Sequence, residues 1–309
     1  MIGKTVSHYR ILATVGIGGM SVVYKAQDTR LGRLVALKFL REKFCRDREC
    51  LEKFQQEART VSALNHPGVC TIHDIDQHRE QPFIVMEYLE GETLRDKLQT
   101  RGLTMKEAVA CGIYIADVVG QAHRAGIVHR DISPANLFIT LDGRIKLLDF
   151  GIAMLISPDW TPRTKTTSKS SRILTGTIYY MSPEQALVQD VDTRSDIFSI
   201  GVVLYEMLTG RRPFSGSTLA AVIDQIVKAT PPCVGDVVPN IPSAIQQIVS
   251  KCLEKRPEQR YQTAVRLRED LKFAARTSPL DIERRVKSSA ASMSSAKTIR
   301  DTTHAKELV

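Results

Sequence analysis

The sequence predicts an α+β fold, with strands gathered in roughly the first 90 residues and helices filling most of the rest. Short period-two or continuous apolar runs recur at 9–15, 21–27, 34–40 and 82–89. Longer segments with helical apolar spacing recur at 104–125, 194–210, 217–229, 242–254 and 262–275. A chain of 309 residues is also long enough for two lobes with separate cores.

The first two strands flank Gly16-Ile17-Gly18-Gly19-Met20. Glycines there let backbone amides approach a polyphosphate without a side chain in the way. A dinucleotide fingerprint needs a helix after its glycines; SVVYKAQ is strand-like, so that reading falls. In the strand LVALKFL, period two puts Ala36 and Lys38 on one face. A lone strand lysine usually snorkels to water, but beside a small residue that packs on a purine it could reach phosphate. The segment 50–64 reads as a helix with Leu51, Phe54, Ala58, Val61 and Leu64 on one stripe and Glu57 at its edge. A carboxylate facing a core needs a cation. That cation is Lys38, or else Lys53 one turn earlier, a surface contact worth only about 0.3–0.5 kcal/mol. PFIVMEYL, over 82–89, is a buried strand running into Glu90-Gly91, where the first lobe should end.

A short amphipathic helix over 92–99 opens the second part, and Thr104-Met105-Lys106-Glu107 then starts a long helix with a capping-box pattern. That helix delivers the chain to HRDISPANLFITLDGRIKLLDFG, residues 129–151. Two apolar runs flank Asp142-Gly143, a two-residue hairpin signal. With Leu141 opposite Arg144, Asn136 stands opposite Asp149, and opposed β-carbons lie about 4.5–5.5 Å apart. An amide oxygen beside a carboxylate suits Mg²⁺, which takes one or two protein ligands and leaves the rest to water and phosphate. Asp131, on the incoming loop, could accept a proton from an attacking hydroxyl. Any one of these groups alone reads as solvated surface. Three converging at one hairpin mouth read as a site.

HRDISPAN followed by DFG resembles the catalytic loop and metal-binding segment of protein kinases, at that family's spacing. GGMSVVYKA, HPGVCTIHDI and MSPEQ extend the likeness to the bacterial eukaryotic-like (Hanks-type) serine/threonine kinases over about residues 9–275. The resemblance implies a two-lobed protein-kinase-like fold: a small β-rich N-lobe with one major helix, 9–89, and a larger, mainly helical C-lobe, 90–275, with an activation segment at 149–184. Residues 1–8 are then an N-terminal extension. ATP would lie between the lobes against Val15, Gly16, Gly18, Ser21, Val23, Ala36 and Leu137, with adenine bonded to backbone at Glu87 and Leu89 and Met86 limiting the pocket's depth. Ser21 stands where the family's third glycine is usual.

The same resemblance pairs Lys38 with Glu57, gives Mg²⁺ to Asn136 and Asp149, makes Asp131 the catalytic base, and reads Thr177 as the mark of a kinase acting on serine or threonine. His129 supports the core, although a lone histidine there is more often simply a packed one. Arg130 receives an activating phosphate. Asp196 holds the backbone of the catalytic loop, where it could otherwise merely favour a helix start. Arg260 pairs with Glu184 across the lobe; otherwise it is one more surface arginine. In WTPRTKTTSKSS, residues 160–171, Ser171 is the first phosphosite candidate, followed by Ser170, Ser168 and Thr167; phosphorylation could order such a segment. The implied partners are ATP, proteins bearing Ser or Thr, and a second copy of the domain for autophosphorylation.

One departure matters. Kinases of this class carry lysine two residues after the catalytic aspartate, and here that position is Ser133, with Ala135 rather than the arginine typical of tyrosine kinases. Losing a hydrogen bond to a charged group, roughly 1.5–3 kcal/mol, slows transfer by about 10- to 100-fold rather than abolishing it. A nucleotide-binding pseudokinase scaffold and a kinase of small molecules are the alternative readings.

The net charge of +9 could signal nucleic acid, but no basic stretch is interleaved with aromatics. No apolar run approaches a membrane span, and the start lacks the apolar core of a secretory signal. Six scattered cysteines without CxxC spacing read as reduced thiols of a cytoplasmic protein. Residues 276–309, rich in Ser, Thr and basic side chains, have little to bury and read as a flexible tail.

Overall fold

The computed structural model describes residues 1–149 and 177–278, apart from the side chains of Glu49, Lys53 and Glu57. Six antiparallel strands form the first-lobe sheet in the order β1-β2-β3-β4-β6-β5. They are β1 (Thr5–Val6), β2 (Tyr9–Ile17), β3 (Ser21–Asp28), β4 (Leu34–Leu40), β5 (Ile72–His78) and β6 (Gln81–Glu87). The sheet begins ahead of residue 9, because Val6 packs with Tyr9, Ile11, Leu37, Phe39 and Phe83 in the core on one face. On the other face Leu40 and Ile84 meet Phe54 and Ala58 of α1 (Arg48–Ser62). Being covered on both sides, β4 is apolar almost without alternation. Strand β5 escaped the sequence reading for a physical reason. A bulge between Ile72 and Asp74 leaves its apolar residues, Ile72 and Ile75, three apart instead of two.

The second lobe contains α2 (Leu94–Thr100), α3 (Met105–Arg124), α4 (Pro183–Ala186), α5 (Thr193–Thr209), α6 (Leu219–Lys228), α7 (Val234–Val237), α8 (Ser243–Cys252) and α9 (Ala264–Thr277). The capping box is present: Glu107 N–H donates to Thr104 Oγ1 at 3.2 Å, and Thr104 N–H to Glu107 Oε2 at 2.8 Å. Helix α5 is buried nearly all round, with α3 on one side and α8 on another. Glycine makes those approaches possible. A β-carbon on Gly112 would come within 2.5 Å of Leu204 Cδ2, and one on Gly201 within 2.5 Å of Cys252 Cβ.

The hairpin lies in a second sheet, β7 (Gly91–Thr93), β8 (Leu137–Thr140) and β9 (Ile145–Leu147). Its register differs by one from the expected register. Leu137 pairs with Leu147 and Ile139 with Ile145, so Thr140, not Leu141, faces Arg144. The loop has three residues, Leu141-Asp142-Gly143, and Gly143 closes it at φ +79° in the left-handed region. Asn136 consequently stands opposite Leu148, whose N–H it accepts at 2.8 Å, and Asp149 lies one step beyond at φ +39°.

A buried ion pair fastens the base of this lobe. Arg260 Nη1 and Nη2 reach Glu184 Oε1 and Oε2 at 2.7 and 2.8 Å, and Ser195 Oγ donates to Oε1 at 2.5 Å. The remaining guanidinium hydrogens go to the carbonyls of Glu254, Arg194 and Lys255 at 2.7–3.0 Å. These contacts hold the Glu184 carboxyl below its ordinary range although burial opposes them. Removing one partner strands a buried charge at a cost of about 3–5 kcal/mol. Arg260→Met should therefore lower the melting temperature by roughly 6–20 °C. The double variant Arg260→Met/Glu184→Gln should recover part of that loss in the same calorimetric scans.

Candidate active site

Between the lobes lies a cleft of about 500 Å³. Val15, Gly16, Val23 and Ala36 form its roof, Phe138 and Leu147 its floor, and Ile84, Met86 and Cys70 its rear. Burial pushes the Cys70 thiol up to about 12, so it serves there as an apolar group. The connecting segment between the lobes, from Glu87 to Gly91, forms one side. Its start is fixed by three bonds: Glu87 N–H donates to Thr71 O at 2.9 Å, while Glu87 Oε1 accepts Thr71 N–H at 2.7 Å and Lys146 Nζ at 2.6 Å. A flat, apolar slot with a backbone edge is the shape that takes a planar aromatic ligand.

The polar groups form two pairs, Lys38 with Asp149 lining the cleft and Asn136 with Asp131 on the loop beside it, linked by the Leu148 N–H bond to Asn136 O. Lys38, on β4 and 7% exposed, reaches across to Asp149 Oδ1 at 2.7 Å. Asn136 Nδ2 donates to the backbone oxygen of Asp131 at 2.9 Å and to its Oδ2 at 2.8 Å. That orientation leaves Asn136 Oδ1 as the acceptor facing away from Asp131. The loop carrying Asp131 is held from beneath by Asp196, which is fully buried. Asp196 Oδ2 accepts His129 N–H at 2.8 Å, and Oδ1 accepts Arg130 N–H at 2.8 Å. His123 Nε2 lies 2.8 Å from Oδ2. These bonds stabilise Arg130 at φ +67°, a conformation that costs a non-glycine residue energy.

His129 completes the support. Its Nδ1 accepts Asp131 N–H at 3.2 Å, so Nε2 carries the proton and donates to Leu148 O at 3.1 Å. One neutral imidazole thus joins the catalytic loop to the strand that leads into Asp149.

Residues 9–270 match the protein kinase domain. The chain belongs to that family. It is 38% identical over 276 residues to the serine/threonine-protein kinase PrkC of Bacillus subtilis, covering 89% of this chain and 42% of that one. It is 40% identical over 268 residues to the serine/threonine-protein kinase PknB of Mycobacterium tuberculosis, covering 85% and 42%. The chain thus spans about two-fifths of the length of these relatives. The crystal structure of the PknI kinase domain of Mycobacterium tuberculosis has the same fold, with a TM-score of 0.69 at 24% identity over 90% of this chain and 99% of that one.

Of the residues expected at the nucleotide, Val15, Gly16, Val23, Ala36, Lys38, Glu87 and Leu89 line the kinase cleft. Gly18 and Ser21 close the turn instead, Gly18 N–H donating to Ser21 O at 2.9 Å. Leu137 does not reach the cleft. Strand alternation turns it into the core at 1% exposure and presents Phe138 to the cavity. Thr177 caps a short 3-10 turn, Ile178–Tyr180, and its hydroxyl makes no hydrogen bond among the described residues. Arg130 forms no ion pair among them. The side chain of Glu57 and the candidates Ser171, Ser170, Ser168 and Thr167 lie outside the described residues. Sequence reasoning missed Lys146, His123 and Gln185, whose Nε2 donates to Arg130 O at 2.8 Å. The glutamine was visible in MSPEQ; the other two carry no local signal.

Burial holds the His129 imidazole below its ordinary value of 6.5. The unfolded chain therefore takes up a proton at this residue that the folded kinase domain refuses. The stability it contributes is full above about pH 6.5 and is lost as the pH falls toward the depressed folded value. Urea midpoints measured from pH 8 to 5 should decline below pH 6.5, and His129→Gln should flatten that decline.

Proposed function

We propose that the chain transfers the γ-phosphoryl group of ATP to serine or threonine hydroxyls of proteins. The observation that carries this reading is a largely apolar cleft lined at one end by the Lys38–Asp149 pair, with the Asn136–Asp131 pair tied to that end through the backbone bond from Leu148 N–H to Asn136 O. The names of relatives about 40% identical support it. The catalytic unit is assigned to residues 9–275, with the lobes meeting near residues 89–90.

The donor set fits Mg²⁺. Asp149 is 46% exposed at its side chain, and it and Asn136 offer hard oxygen ligands beside a cation, Lys38, that a phosphate could share. Bound there, Mg²⁺ supplies positive charge to the phosphates. Lys38 and the amides of the glycine turn position the triphosphate. The slot between Ala36 and Phe138 takes the base, and the backbone from Glu87 to Leu89 bonds its edge. Asp131, oriented by Asn136 and by its own N–H bond to His129, receives the proton of the attacking hydroxyl. Little covalent chemistry falls to the protein, so placement and charge neutralisation account for most of the rate. Ser133 supplies no cation where relatives of this class carry lysine; it is 1% exposed, and its hydroxyl lacks a hydrogen-bond partner among the described residues. A kinase slowed at this position is the expected consequence.

The assay is transfer of labelled phosphate from Mg-ATP to the chain itself and to a generic basic protein. Asp131→Asn should reduce kcat by about 10²–10⁴-fold with nucleotide affinity retained. Ser133→Lys should raise it by about 10- to 100-fold. Nucleotide binding without any transfer by the unaltered protein would overturn the proposal in favour of a scaffold.

A further inference from the structure

A second pocket, about 60 Å³ in volume, opens beside the catalytic loop and is lined by Arg95, Gln99, Pro134, Tyr180, Glu206 and Arg212. One water needs about 10–15 Å³ of such space, so the pocket has room for a small polar group rather than a single solvent molecule. It shares no lining residue with the nucleotide cleft. Its place is fixed by the backbone, because Arg95 N–H donates to Pro134 O at 2.9 Å and so seats the start of α2 against the loop. Pro134 follows Asp131 by three residues, at most about 11 Å at 3.8 Å per step. An extended peptide rises about 3.3 Å per residue. With its hydroxyl at Asp131, such a peptide reaches the pocket within about four residues.

The charges in the pocket do not cancel. Two arginines and one glutamate line it, and that carboxylate is already engaged. Glu206 Oε2 accepts the Tyr180 hydroxyl at 2.6 Å, and Oε1 lies 3.6 Å from Arg212 Nε. Burial also raises the Glu206 carboxyl above its ordinary range, which favours the neutral form. Arg212 is held in place as well as paired. Its guanidinium carbon lies 4.1 Å from the Tyr179 ring centroid and 5.7 Å from that of Tyr180. A fork fixed in this way loses little freedom on meeting a carboxylate. Arg95 is exposed and has no ion pair among the described residues. A basic side chain entering here would meet two cations and a compensated acid; an acidic one would meet an unspent positive charge.

We propose that this pocket is a substrate subsite for an Asp or Glu side chain lying within about four residues of the phosphoacceptor, with Arg95 and Arg212 as its specificity-determining residues. The inference rests on the kinase reading, of which it names the substrate class. A charge-assisted pair at a partly buried site should favour Glu over Gln by about tenfold at one peptide position, chiefly through KM.

The test uses the whole chain and peptide mixtures centred on Ser or Thr, with Glu, Gln or Lys fixed in turn at each position from four before to four after the acceptor. Phosphorylation is read with Mg-ATP. Binding is read separately by fluorescence polarisation on the same mixtures with Ala at the acceptor. A single position should show the order Glu over Gln over Lys in both readouts. Arg95→Ala should bring the Glu-to-Gln ratio measured within that variant close to one, and Arg95→Glu should invert the order toward Lys. Equal use of Glu and Gln at every position, a preference for Lys, or a Glu preference that survives Arg95→Ala would each overturn the subsite. Glu-dependent binding without transfer would leave the subsite standing and sink the kinase reading; transfer without charge preference would do the reverse.

Discussion

The loop that carries Asp131 in this kinase domain holds its shape through one buried carboxylate. Residues 129–131 cannot bond one another as a helix or a strand would, and Arg130 sits in a left-handed conformation that its own side chain disfavours. Asp196 compensates by accepting two successive backbone N–H groups and meeting His123, all at 2.8 Å. Such an anion can stay buried because it has several donors and sits in the first turn of α5, where the helix dipole favours negative charge. Since α5 is the most deeply enclosed helix of the lobe, the loop inherits the rigidity of the core. If Asp131 is the base, as proposed, that rigidity would serve the close placement that positioning catalysis requires.

The same economy links the loop to the segment from Thr177 to Ala186. Gln185 bonds the carbonyl of Arg130, and its neighbour Glu184 is pinned by Arg260, so the two residues of one short helix reach the catalytic loop and the far edge of the lobe. Ser199, one turn beyond Ser195 on α5, adds a bond to Tyr180 O at 2.7 Å. The segment from Thr177 to Ala186 is therefore fastened at several points to the helix that also fastens the loop. The distance of that segment from Asp131 is thereby set by α5 and not by loop flexibility.

Much of this was legible in the sequence because the signals are local. The apolar runs of β2, β3, β4 and β6, the capping box of α3 and the near-continuous apolar content of α5 each follow from periodicity within a dozen residues. The hairpin shows where such signals stop. Asp142-Gly143 suits a two-residue turn and also the end of a three-residue one, and only the cross-strand bonds decide between them; the choice shifts every facing pair by one. Lys38 and Asp149 are 111 residues apart, and nothing local announces their contact. His123 is a further case, as its spacing on α3 reads as surface until α5 is laid beside it. The exchange of Phe138 for Leu137 at the cleft has a simpler origin. Both are apolar, and which of two adjacent strand residues faces a cavity depends on the register.

The charge balance of the cleft gives Ser133 its meaning. Among the described residues that line it, Lys38 is the one cation, against Glu87, Glu90, Glu92, Asp96 and Asp149. Lys146 offsets Glu87 from below, and Lys38 is itself engaged with Asp149. A triphosphate entering this field meets net repulsion from the protein, and unit charges a few ångströms apart interact by about 4 kcal/mol at the effective dielectric of such sites. A divalent cation on the proposed oxygen ligands Asn136 and Asp149 would reverse that sign. Where the family usually places a positive charge beside the transferring group, this chain places a small buried hydroxyl. On the proposed reading the electrostatic burden would then fall on Lys38 and on a cation held by Asn136 and Asp149.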